Sequence, residues 1–161
     1  MTRLARTRAL TGQEWRVLLE AAALTLVAAV AVRGLPLPKA VDLVRACTPG
    51  SRSSAPAGTT TPLPLDRLST LVGWTASRLG AQCLVQAMVL QAILRRRGVA
   101  ADVVVGAAAG SPPVPGDRTV RRLLSHAWVE HEGTVLMGAT GVAYVPICRL
   151  GSEAHPDEAL A

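Results

Sequence analysis

The sequence predicts an α+β fold, and three observations carry that prediction. Apolar residues recur at helical spacing as far as about Arg97, short β-branched runs replace them after Gly98, and Glu132-Gly133 stands between two such runs as a tight hairpin turn. Helices first and antiparallel strands afterwards is an α+β order. At 161 residues the chain has the length of one domain. Half of it is apolar and 17% is charged, which excludes wholesale disorder. With no Phe, one Tyr and three Trp, the core must be filled by Leu, Val and Ala.

The first element is signalled by Thr11-x-x-Glu14 ahead of an apolar run, the pattern of a capping box. The run Val17 to Val32 is shorter than the roughly 20 residues that span a bilayer, and it contains Glu20. A signal peptide is the rival reading, because Arg3, Arg6 and Arg8 precede an uncharged stretch from Ala21 to Val32. Glu14 and Glu20 speak against it. The expectation is a helix that docks on the rest of the protein or on a partner, with peripheral membrane association through residues 17–32 as the other possibility. Pro36 and Pro38 end this helix, and Lys39 to Ala46 form a short second one. Thr48 to Pro64, with four Pro and two Gly, reads as a linker. The expected organisation is therefore a helical arm at residues 1–47, a linker at 48–64, a compact unit at 65–149 and a loose tail at 150–161.

Leu65, Leu68, Leu71, Val72, Ala76 and Leu79 recur at helical spacing, with Asp66, Arg67, Ser69 and Arg78 off the stripe. The next helix, Cys83 to about Arg97, is apolar on every face except for Gln86 and Gln91, as a buried central helix must be. Arg95 to Arg97 meet the negative end of its dipole and Gly98 stops it. Strands are then expected at Asp102 to Val105, Leu123 to Glu130, Thr134 to Met137 and Ala143 to Ile147. A Gly/Pro-rich loop from Gly106 to Asp117 separates the first two.

The charge of +6 comes from 17 basic residues, of which only Lys39 is a lysine, and 11 acidic ones. Lys, Asn and Phe are depleted together, which reads as GC-rich coding; the Arg excess is no nucleic-acid footprint. The positive field lies in residues 1–100, where it suits an acidic peptide, a membrane surface or plain solvation. The glycines of Gly106 to Gly116 lack P-loop lysine spacing, so nucleotide binding is not supported. Cys47, Cys83 and Cys148 form no CxxC pair; neither a disulfide framework nor a cysteine-rich zinc site is expected, and the set suits a reducing cytoplasm. Cys47 and Cys148 are read as packing residues.

Cys83 falls in the first turn of the central helix, where free N–H groups and the dipole favour an anion and hence a thiolate. His126 lies on the first strand of the hairpin, which an antiparallel sheet packed on that helix can bring to the sulfur as a base. His131 alternates to the opposite strand face and enters the turn, and His155 falls in the tail.

Cys83-Leu84 with Gln86-Ala87, Leu94-Arg95-Arg96-Arg97-Gly98-Val99, Ser125-His126-Ala127-Trp128-Val129-Glu130 with Gly133, and Tyr144-Val145-Pro146 occur in that order. In this the chain resembles the lasso peptide maturation proteases, the stand-alone protease half of the lasso biosynthesis B protein and a transglutaminase-like branch of the papain-type cysteine proteases. The resemblance covers about residues 65–148, and the apolar N-terminal region is similar as well. It implies Cys83 as nucleophile, His126 as general base, and cleavage of the leader from the core of a ribosomally made precursor. It also implies a separate leader-recognition protein and a lasso cyclase as partners, with no cofactor, no metal and no nucleic acid. The family's Asp about a dozen residues after the His has no match, since Gly138 occupies that offset. A backbone carbonyl or Glu130, which shares a strand face with His126, is left as the orienting group; Gln82, Gln86 or the Cys83 N–H are candidate oxyanion donors. A transglutaminase-type acyltransferase and a non-catalytic scaffold remain the alternatives.

Overall fold

The computed structural model describes residues 10–48, 63–109 and 123–151. Most of the expected linker, most of the Gly/Pro-rich loop, and the tail with His155 lie outside these residues. The remainder has the expected order of four helices followed by four strands. They are α1 (Gly12–Gly34), α2 (Leu37–Cys47), α3 (Leu65–Arg78), α4 (Cys83–Arg96), β1 (Asp102–Ala109), β2 (Leu123–His131), β3 (Thr134–Met137) and β4 (Val145–Leu150).

The capping box forms as the sequence dictates. The Thr11 hydroxyl accepts from the Glu14 N–H at 3.2 Å, and the Glu14 carboxylate accepts from the Thr11 N–H at 2.8 Å, so two orphan donors of the helix start are satisfied. One stripe of α1, including Val17, Ala21, Leu24 and Ala28, is buried, and the helix packs on α2, α3 and α4. Its two acids complete that docking. Glu14 accepts from Arg67 of α3 at 2.6 Å and Glu20 from Arg96 of α4 at 2.5 Å. The opposite stripe exposes Trp15, Leu19, Leu26 and Val30. By length and composition α1 qualifies as a membrane-crossing helix, a test that core helices of soluble proteins also pass.

The all-round apolar α4 is the centre of the molecule. Val89, Leu90, Ile93 and Leu94 are fully buried, and removing each from water contributes roughly 1.5–3 kcal/mol. One face of α4 meets α1, α2 and α3 and another meets β1 and β2.

The strands form one antiparallel sheet in the order β3-β2-β1-β4. Val103 of β1 and Ala127 and Val129 of β2 join the core shared with the helices. Period-two alternation therefore gives the other sheet face to Asp102, Val104 and Gly106 of β1 and to His126, Trp128 and Glu130 of β2. At the β2–β3 hairpin Glu132 and Gly133 have φ of 48° and 74°, the two positive values of a type I′ turn.

Three expectations need correction. Gly106 does not open a loop: β1 runs on to Ala109, with Gly106 paired to His126 and Pro146. Gly106 can stay in the strand because it has no side chain, and an added Cβ would lie 2.7 Å from both the Trp128 ring and the Val145 carbonyl. The last strand starts at Val145, two residues later than expected. Cys47 and Cys148 are not packing residues, since both are exposed, Cys47 at the end of α2 and Cys148 on an edge strand.

Candidate active site

Cys83 is the first residue of α4 and is half-buried at the edge of the core. Gln82, its N-cap, is exposed and makes no side-chain capping bond, so the Cys83 end of α4 keeps free N–H groups. The Gln86 amide donates to the Ala81 carbonyl at 2.7 Å, tying the loop that precedes Cys83 to the helix.

Arg97 to Ala101 join α4 to β1, and buried Gln91 sits where Gly151 meets Ala101 and Asp102. Gly106 of β1 is the partner of His126 on β2. β3 pairs with β2 only from Val129 onwards, and just beyond it Gly138 lies against Ala127 and Trp128. Among the described residues no hydrogen bond links Cys83 to His126.

His126 is fixed from three sides. Its Nε2 lies 2.7 Å from the Gly138 carbonyl. A carbonyl oxygen only accepts, so Nε2 carries the proton and Nδ1 is the bare nitrogen of the neutral ring. The Trp128 ring stacks on the imidazole with centroids 6.2 Å apart and planes 19° apart. Tyr144 lies tilted against it at 5.1 Å.

Gly138 accounts for the missing acid. Its φ is +90°, and a Cβ there would lie 2.8 Å from Trp128 Cβ and 3.0 Å from Trp128 Cα. No side chain fits at this position, and the main-chain carbonyl meets the imidazole instead.

Glu130 shares the face of His126 and Trp128 as expected, but it neither faces solvent nor touches the imidazole. It accepts from Trp128 Nε1 at 2.6 Å and from Arg149 of β4 at 2.7 Å. His131 is half-buried, its Nδ1 2.5 Å from the Ala100 carbonyl, away from His126. Tyr144 and Gly106 are the neighbours that sequence reasoning missed. Their signals were a lone tyrosine before the last strand and a glycine closing a β-branched run.

A cysteine at a helix start and a histidine on a neighbouring sheet are the parts used by enzymes that attack acyl groups with sulfur; here His126 lies on the sheet face turned away from the core shared with α4. The family model of the transglutaminase-like superfamily matches residues 22–149, and the chain belongs to that superfamily. Its members include cysteine proteases and acyltransferases of papain-like type. No curated protein and no solved structure shows a significant match.

Proposed function

We propose that this protein is a cysteine endopeptidase of lasso peptide biosynthesis that cuts the leader from the core of a precursor. The observation that carries this reading is the imidazole bonded through Nε2 to the Gly138 carbonyl, which leaves Nδ1 of the neutral ring as the base, in a chain whose Cys83 opens α4. In the reaction, His126 Nδ1 takes the Cys83 proton and the sulfur attacks the carbonyl carbon at the leader/core junction. The imidazolium returns that proton to the leaving amine nitrogen, which breaks the C–N bond and leaves a thioester. Water, deprotonated by His126, attacks the thioester and releases the carboxylate and the free thiol. The Cys83 N–H and the free amide of Gln82 are the oxyanion donors at hand. A leader-recognition protein presents the precursor and a cyclase takes the product.

The test is mass spectrometry of a lasso precursor peptide incubated with the protein and a leader-binding protein. Hydrolysis yields two fragments whose masses sum to the precursor plus one water, and Cys83→Ala and His126→Ala abolish them. Products joined to an added amine would mark an acyltransferase. Unchanged processing by both variants would overturn the reading.

A further inference from the structure

We infer that Glu130 is a positioning residue for His126, acting through the Trp128 indole; this rests on the Cys83/His126 reading above. The chain of contacts is continuous. Arg149 donates to one carboxylate oxygen of Glu130 at 2.7 Å, and the other oxygen accepts from Trp128 Nε1 at 2.6 Å. The indole then lies nearly parallel to the imidazole, 19° between planes.

The sheet register explains why these groups meet. Trp128 and Arg149 flank the same β1 residue, Val104, on the two neighbouring strands. Glu130 stands directly opposite Asp102, and two like charges so placed repel. Arg149 lies 3.9 Å from Asp102 and 2.7 Å from Glu130, so it bridges both carboxylates. Glu130 is thereby aimed at the indole, and a carboxylate accepts a stronger bond from the indole N–H than a neutral group does.

Packing and one polar bond together set the rotation of the indole. Gly106 lets the far edge of the ring rest directly on the β1 backbone, Tyr144 lies tilted against it with centroids 6.4 Å apart, and Glu130 accepts the bond from its Nε1. A ring free to turn about χ2 would stop being parallel to the imidazole and would release it from the Gly138 carbonyl. The bond to Glu130 is the polar part of that restraint. Sulfur chemistry then inherits an imidazole locked with Nδ1 bare, although Glu130 touches neither reacting atom. Here the carboxylate sits one ring back from the imidazole, and the direct contact is the Gly138 carbonyl.

The test uses Glu130→Leu, Glu130→Gln and Trp128→Phe in the full chain, each checked for an unchanged far-UV spectrum and thermal midpoint. Glu130→Leu is expected to lower kcat for precursor cleavage about 10- to 100-fold with KM little changed, as for a misplaced catalytic group. Glu130→Gln, which keeps an acceptor for the indole, restores most of it. Trp128→Phe matches Glu130→Leu, and the double variant loses no more than either alone, because the two act in series. The imidazole ¹⁵N signals of His126, identified by their loss in His126→Ala, report the Nε2–H tautomer in the wild type and tautomer averaging in Glu130→Leu. An unaltered tautomer signal and unaltered kcat in Glu130→Leu would overturn the inference while leaving the Cys83/His126 reading intact. Cleavage that persists in His126→Ala would overturn that reading instead.

Discussion

Replacing Gly138 by Ala tests the packing that fixes His126, because two separable costs meet at that residue. The first is conformational: an L-residue at φ +90° costs of order 1–3 kcal/mol. The second is steric. The new Cβ would meet Trp128 Cβ at 2.8 Å, Trp128 Cα at 3.0 Å and the Ala127 carbonyl oxygen at 3.1 Å, and none of these is the end of a flexible side chain. Overpacking against such atoms costs typically about 1–3 kcal/mol. Together they predict a loss of roughly 2–6 kcal/mol, a large part of the 5–15 kcal/mol typical of a domain. Two controls separate the terms. Gly133 has φ +74° with nothing within 4 Å of its Cβ position, so Gly133→Ala reports the conformational cost alone. Gly141 has neither constraint, so Gly141→Ala should be neutral or stabilising by up to about 1 kcal/mol. Urea unfolding followed by circular dichroism measures all three, with equal slopes licensing the comparison. If Gly138→Ala costs no more than Gly133→Ala, the close approach to Trp128 and the account of the missing acid are both refuted.

Other substitutions probe the remaining layers. Leu90→Ala in the centre of α4 should cost about 2–5 kcal/mol, and Leu90→Met under about 1.5 kcal/mol, in the same unfolding assay. Thr11→Ala removes the cap of α1 and should cost about 1 kcal/mol; a neutral result would mean that α1 does not depend on its capping box. The Glu14 carboxyl is held below the ordinary glutamate value by its bond from the Thr11 N–H and then by Arg67. A lowered native value means that the unfolded chain binds the proton first, so this contribution is complete above the ordinary value and disappears as pH falls through the lower native one. Glu14→Gln should therefore flatten the acid limb of stability against pH, and an unchanged limb would contradict the assignment.

Much of the fold was legible because its signals are local. The capping box at Thr11 and Glu14 involves residues three apart, and the positive φ values at Glu132 and Gly133 belong to the turn itself. The buried role of α4 followed from an apolar surface too wide for one neighbour. The shared face of His126, Trp128 and Glu130 followed from period two. Which of those groups bond each other did not follow, since Glu130's partner is chosen by Arg149, brought in by β4 pairing across β1. A backbone carbonyl was one of the two orienting groups the sequence left open, but that it belongs to Gly138 was not legible, because a backbone acceptor leaves no side chain to recognise. Gly106 looked like a loop residue because glycine weakens a strand, and only the Trp128 ring resting over it explains its place there. The exposure of Cys47 and Cys148 depends on a helix end and a sheet edge, neither of which a cysteine's identity reveals.

The central claim is that Cys83 is a nucleophile activated by His126, and its most direct test is the rate of alkylation by iodoacetamide, resolved for each cysteine by peptide mass spectrometry. Exposed Cys47 and Cys148 serve as internal references. The account predicts that at pH 6 Cys83 is alkylated faster than both, despite its partial burial, and that His126→Ala removes the advantage. Alkylation of Cys83 that is slower than that of the references and indifferent to His126→Ala would contradict it.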